Sequence, residues 1–241
     1  MATELRTGDL KVAIFADLAG FTALNEAHGD QAATRLLEDF YSTIRTTSSY
    51  FQIHEVKTIG DAFLLTAEEP TEAMAFALAA MQRINEQEGT LALRVGMHAG
   101  EMVELDGDVF GKTVNLASRV MQEARQDEIL VTSACLESGQ APNGVDVVKL
   151  GPRRLRGIPN PVDIFSLRPA SAAAWVTDPV CQMKIDPETA LTASIGRDSF
   201  CFCSQDCFEL FKANPRDYVS LRMKARMCPV ALRKGATAQP S

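Results

Sequence analysis

Two acids and two polar helix residues have types and spacings that suit chemistry. Asp17 ends the apolar run KVAIFAD, and Asp61 sits in the tight turn Ile59-Gly60-Asp61. A carboxylate pair on neighbouring strands is a way to hold two hard divalent cations around a triphosphate. Just after Asp17, the turn Ala19-Gly20-Phe21-Thr22 can aim backbone N–H groups at phosphate oxygens. Farther along, DVFGKTVNLASRV reads as a glycine turn feeding a helix, and Asn115 and Arg119, four apart, share one face of it. Each feature also has a plain reading. Asp17 can cap the turn LAGFT, Asp61 can be a turn residue, and Arg119 can pair with Glu123 on the surface. Both acids in one sheet, beside a glycine turn that opens a helix, weigh toward the chemistry.

A second set of reactive groups lies near the C-terminus. Of six cysteines, Cys135 stands alone, while Cys181, Cys201, Cys203, Cys207 and Cys228 crowd the last quarter. The start, MATELRTGDLKV, is polar and is no signal peptide. Clustered cysteines in such a chain suggest metal or redox chemistry before structural disulfides. Cys203 and Cys207 have a spacing that a turn entering a helix can bring onto one ion, and Cys181 would join from an earlier loop. Three thiolates prefer a soft or borderline ion such as Zn²⁺ or Cu⁺. Met183 or Cys201 is the candidate fourth ligand. The plain reading is a small apolar fold with buried free thiols. Cys228, in a Cys-Pro pair, reads as an exposed thiol.

The elements that must position these groups follow from periodicity. KVAIFAD suits a buried central strand. A helix is expected from an N-cap at Asp30, with Ala33, Leu36, Leu37, Phe40, Tyr41 and Ile44 as its apolar stripe. FQIHEVKTIGDAFLLTAEE reads as two strands around a tight turn. A helix follows Pro70, with Met74, Leu78, Met81 and Ile84 on one face. LALRVGMHAGEMVEL alternates as a half-buried strand or hairpin arm. EILVTS is a strand, and a hairpin around GIPNP closes in VDIFSL. That order gives an α+β fold with helices covering one face of a largely antiparallel sheet. Residues 168–174 read as a linker, 175–221 as a second small unit, and 222–241 as a polar, disordered tail.

The bulk numbers narrow the partners. The chain has 241 residues, 46% hydrophobic and 23% charged, enough for one large domain or two smaller ones. Its net charge of −7, without a long basic tract, argues against nucleic acid. The run AMAFALAAM is too short to span a bilayer. The expectation is a cytoplasmic protein.

FADLAGFTALNE, KTIGDAF and DVFGKTVNLASRV, in this order and spacing, resemble the class III nucleotide cyclase catalytic domain over about residues 8–167. The resemblance implies a ferredoxin-like, palm-type sheet with covering helices. It places Asp17, Leu18 and Asp61 at two Mg²⁺ or Mn²⁺ ions, with Gly20, Phe21 and Thr22 at the phosphates. Lys57 and Asp108 match the pair that reads adenine, and Asn115 and Arg119 the pair that orients the ribose and stabilises the transition state. Arg156 stands where the family often has a lysine for the terminal phosphates, so charge is kept and geometry changes. The implied reaction is ATP to 3′,5′-cyclic AMP and pyrophosphate. Family sites are shared between two chains, and this chain carries both halves, which implies a homodimer. A cyclase-like domain that binds nucleotide without turnover, a metal-handling protein and a guanylate cyclase are the rivals. TDPVCQMKIDPETA with GRDSFCFCSQDCFELFKANPRDYV resembles a YHS domain, a small α+β metal-associated module, with Cys181, Cys203 and Cys207 at its cysteine positions. Gln182 and Cys201 depart from that pattern, which normally has glycine and an aromatic there.

Overall fold

The computed structural model describes residues 6–169, 175–195 and 198–218. The expected tail at 222–241, Cys228 and most of the expected linker lie outside them. The chain divides into two compact units. The first takes residues 1–19, 39–84 and 93–172, and the second takes 20–38, 85–92 and the chain from 173 onward.

The first unit is built on one mixed sheet. Its strands are β1 (Arg6–Ala19), β2 (Ile53–Ile59), β3 (Ala62–Ala67), β4 (Ala92–Leu105), β5 (Asp108–Phe110), β6 (Glu128–Thr132), β7 (Val145–Arg153) and β8 (Val162–Pro169). They run in the order β2-β3-β1-β4-β6-β8-β7, with β5 paired to β4. β4 and β6 pair in parallel, in register Arg94↔Glu128 to Met97↔Val131. β1 is central because it is apolar on both faces, and Val12, Ala13, Ile14 and Ala16 are fully buried. It pairs antiparallel with β3 from Val12↔Ala67 to Asp17↔Ala62.

The helices of this unit are the part of α1 (Phe21–Ser48) from residue 39 on, α2 (Pro70–Asn85), α3 (Lys112–Glu123) and α4 (Ser133–Ser138). α1 corrects the expected start at Asp30. Helix begins at Phe21 and is interrupted at Gly29, with φ 77 and ψ 169. Glycine accepts that backbone at no steric cost, so Asp30 starts a second segment rather than the whole helix. In α2, Met74, Met81 and Ile84 are buried as expected, but Phe76, Ala77 and Ala80 are buried as well, so its apolar face is wider than the stripe suggested. α4 is a six-residue helix that no periodicity announced, and it carries Cys135, fully buried. Burial pushes that thiol up to about 11, so it is inert core. α3 lies on the sheet through Val114, Ala117 and Met121, which share a core with Ala13, Phe15, Leu64 and Met102.

The second unit holds two hairpins and two short helices. β9 (Val176–Thr177) pairs with β10 (Lys184–Ile185), and β11 (Leu191–Ile195) with β12 (Asp198–Phe202). α5 (Gln205–Ala213) and α6 (Pro215–Tyr218) follow. Phe211 packs on Phe200 and Phe202 with ring centroids 4.9 and 5.0 Å away. Main-chain bonds draw in the 85–92 segment: Gly89 N–H donates to Lys184 O, and Lys184 N–H to Thr90 O. Trp175 Nε1 donates to the Asn85 carbonyl. Among the described residues, no helix is long and apolar enough to cross a membrane.

Candidate functional site

The register of β1 and β3 brings the two acids together. Asp17 stands opposite Ala62, and the β2–β3 turn places Asp61 beside it, where Leu18 N–H donates to Asp61 O at 3.3 Å. Gly60 makes that turn with φ 60, and Tyr41 Oη donates to its carbonyl. Asp17 is 6% exposed. Burial raises its carboxyl, and the neighbouring Asp61 raises it further, against the pull of Arg94. Burial also raises Asp61. Two hard-oxygen donors, side by side and short of positive charge, fit Mg²⁺ or Mn²⁺. Leu18 is buried between them in sequence, at 1% exposure.

Arg94, on β4, is the residue that sequence reasoning missed. Its Nη2 donates to Asp17 Oδ2. Its Nε is buried without a hydrogen-bond partner. A single guanidinium thus serves two acids and is itself incompletely satisfied. The signal was an arginine inside the apolar run LALRV, where a charge requires a partner.

Lys57 and Asp108 come together from β2 and β5. Lys57 Nζ donates to Asp108 Oδ2, and Asp108 Oδ1 accepts from Val109 N–H at 2.8 Å. The hydrogen bond from Lys57 holds the Asp108 carboxyl below its usual range. Lys57 Nζ also lies 5.9 Å from the Phe110 ring centroid, and Phe110 is 46% exposed. A donor and an acceptor are therefore presented next to an exposed aromatic.

α3 begins after Gly111, whose φ of 126 suits glycine. Asn115 is exposed and Arg119 half-buried, on the side of α3 away from Val114, Ala117 and Met121. Arg119 Nη1 donates to Gln122 Oε1 at 2.8 Å, so its partner is Gln122 rather than the alternative, Glu123. Arg156 is exposed in the turn after β7. Gly20, φ 94, follows β1, and Phe21 and Thr22 open α1.

In the second unit, three of the expected thiols meet. Cys203 Sγ lies 3.5 Å from Cys181 Sγ and 3.6 Å from Cys207 Sγ. Ser204 caps α5 by accepting from Cys207 N–H, which sets Cys207 in the first turn. Hydrogen bonds from Cys181 and Cys203 hold the Cys207 thiol below its usual range, while Cys181 is pushed up by the same sharing. Cys201 is buried on β12, and the group that lies beside the three thiols is His28 of α1. Nothing in the local pattern around His28 signals this, because the contact spans 175 positions.

Residues 7–169 match the family described as the adenylate and guanylate cyclase catalytic domain. The chain is 37% identical over 132 residues to an adenylate cyclase of Streptomyces griseus, covering 53% of this chain and 33% of that protein. It is 35% identical over 157 residues to a pH-sensitive adenylate cyclase of Mycobacterium tuberculosis, covering 64% and 39%. It thus spans about two-fifths or less of these relatives' length. Among solved structures, adenylate cyclases of Trypanosoma brucei in their monomeric state align with a TM-score of 0.63 at 23% identity, over 68% of this chain and 90% of theirs. An adenylyl cyclase from P. aeruginosa aligns with a TM-score of 0.60 at 20% identity, over 70% and 98%. At that identity the likeness speaks to the fold, and the mixed sheet with its covering helices is the shared part. Through residues 7–169, the chain belongs to the family of adenylate and guanylate cyclase catalytic domains.

Proposed function

We propose that the protein is an adenylate cyclase that converts ATP to 3′,5′-cyclic AMP and pyrophosphate. The Lys57–Asp108 pair carries the reading. Adenine offers an acceptor at N1 and a donor amino group, which a lysine donor and a carboxylate acceptor match. Guanine presents the reverse and would leave both side chains mispaired, which disfavours GTP. The adenylate cyclases among the relatives support the same choice.

Asp17 and Asp61, with Leu18, are the residues that would hold Mg²⁺ or Mn²⁺. The bound ions would supply acidity to the ribose 3′ hydroxyl and charge neutralisation to the leaving pyrophosphate. Asn115 orients the ribose for in-line attack on the α-phosphorus. Arg119 meets the negative charge that grows there, which suits a guanidinium fork. Gly20, Phe21 and Thr22 offer N–H groups to the phosphates, and Arg156 adds charge at the terminal ones. No protein nucleophile is required. Catalysis is positioning and charge stabilisation.

The active form in this reading is a homodimer. Asp17 and Asp61 of one chain work with Lys57, Asp108, Asn115 and Arg119 of the other. The domain runs over about 8–167, with a linker at 168–174, a YHS module at 175–221 and a polar tail to 241, in a cytoplasmic protein. Incubating the pure chain with ATP or GTP and Mg²⁺ or Mn²⁺, then identifying the product, tests the activity. Lys57→Glu with Asp108→Cys should cut ATP cyclisation sharply and raise relative use of GTP. An unchanged ATP to GTP ratio of kcat/KM would show that these residues do not read the base. Binding of ATP without any cyclic product would favour a nucleotide sensor instead.

A further inference from the structure

We propose that His28, Cys181, Cys203 and Cys207 bind one Zn²⁺ as a closed Cys₃His centre, with His28 of α1 supplying the ligand that the cysteine-rich segment lacks. The four ligand atoms all lie within 4.8 Å of one another. His28 Nε2 is 3.7 Å from Cys203 Sγ and 3.6 Å from Cys207 Sγ. The sulfurs of Cys181 and Cys207 lie 3.5 and 3.6 Å from that of Cys203. Zn–S bonds of about 2.3 Å and Zn–N bonds of about 2.0 Å give a tetrahedron with edges of about 3.8 Å between sulfurs and about 3.5 Å between sulfur and nitrogen. The four measured contacts fall within about 0.3 Å of those edges.

The surroundings hold the ligands in place. Asp178 is fully buried. Its Oδ1 accepts from Val180 N–H at 2.7 Å and Cys181 N–H at 3.4 Å, and its Oδ2 accepts from Cys203 N–H at 2.7 Å. One carboxylate thus fixes both loops that carry thiols, as outer groups commonly do around a metal. Cys207 lies in the first turn of α5, where the helix N-terminus favours a thiolate. His28 ends the first segment of α1, directly before the break at Gly29. Close packing is already present at the other end of that segment. A Cβ at Gly20 would lie 2.5 Å from Gln182 Cβ, next to Cys181.

The donor set selects the ion. Three thiolates with one imidazole suit tetrahedral Zn²⁺, whereas Cu⁺ favours sulfur alone. Four protein ligands leave no open position, so the ion is structural, and its binding energy stabilises the fold around it. It would join 20–38 to the cysteine-rich hairpins within one unit.

None of the four residues is assigned a part in nucleotide turnover, so zinc content and the cyclase assay fail independently. The full chain, purified without chelator, should contain about one zinc per subunit by elemental analysis, in line with one closed tetrahedral site. Protein stripped and refilled anaerobically with Co²⁺ should show thiolate charge-transfer and tetrahedral ligand-field bands. Cys203→Ser with Cys207→Ser should abolish both. His28→Ala should weaken Zn²⁺ at least about tenfold in competition with a chromophoric chelator and shift the ligand-field bands, while the charge-transfer bands of the three thiolates persist. Failure of the wild-type chain to take up Zn²⁺ anaerobically, or a preference for another metal, would overturn the proposal. Unchanged zinc affinity and cobalt spectrum in His28→Ala would overturn the assignment of the fourth ligand.

Discussion

If Asp17 holds a divalent ion as proposed, it must satisfy two partners at different times. In the described structure its charge is met by Arg94, yet its place beside Asp61 suits a divalent ion. Arg94 is 31% exposed, so the pair is neither a surface bridge nor a sealed one. Arg94→Met should therefore destabilise the metal-free protein by about 1–3 kcal/mol, because it leaves a buried carboxylate without its donor. Saturating Mn²⁺ should recover more stability in the variant than in the wild type, since the ion meets the orphaned charge. Thermal melts in chelator and in Mn²⁺ measure both effects. Equal destabilisation in the two buffers would mean that Arg94 supports the fold and does not share Asp17 with an ion.

The presentation of Asn115 and Arg119 depends on how closely α3 can lie on the sheet. Gly96, in β4, is the point of closest approach. A Cβ there would be 2.1 Å from the backbone nitrogen of Met121 and 2.4 Å from its Cα. Backbone on the far side of a clash cannot rotate away as a side chain can, so the whole helix must shift. Gly96→Ala should cost about 1–3 kcal/mol or more and lower the melting temperature. If Arg119 acts as proposed, it should also reduce kcat more than it raises KM, because a displaced α3 would misaim Arg119 at charge that develops only in the transition state. A stable, fully active Gly96→Ala protein would show that α3 tolerates a shift of this size. The same packing explains why Arg119 finds Gln122: the inner face of α3 is committed to Val114, Ala117 and Met121, and its polar face is left outward.

In the proposed homodimer, the outward polar face of α3 would serve the partner's site. If Asp17 of one chain works with Asn115 and Arg119 of another, Asp17→Ala and Arg119→Ala homodimers should each be nearly inactive. A heterodimer of the two gathers both lesions in one site and leaves the other intact. Random mixing gives about half heterodimers, each with one good site of two, so co-expression should restore roughly a quarter of wild-type activity. Differently tagged chains confirm the mixing. No recovery in confirmed heterodimers would place each site within one subunit.

Residue types and short-range spacing singled out Asp17, Asp61, Asn115, Arg119 and the cysteines, and the family resemblance added Lys57 and Asp108. Types and spacing were also sufficient for most strands and helices, because periodicity and turn chemistry depend on neighbours two to four positions away. The first turns of α1 and the whole of α4 escaped, since weak helix signals there needed tertiary packing to decide them. Partnerships were decided only by the folded chain. Lys57 meets Asp108 across 51 positions, Arg94 meets Asp17 across 77, and His28 meets Cys203 across 175. Such pairs follow from the strand order β2-β3-β1-β4-β6-β8-β7 and from which segments pack in each unit. Local pattern carries no record of that order, because burying apolar surface specifies that a strand has neighbours without specifying which.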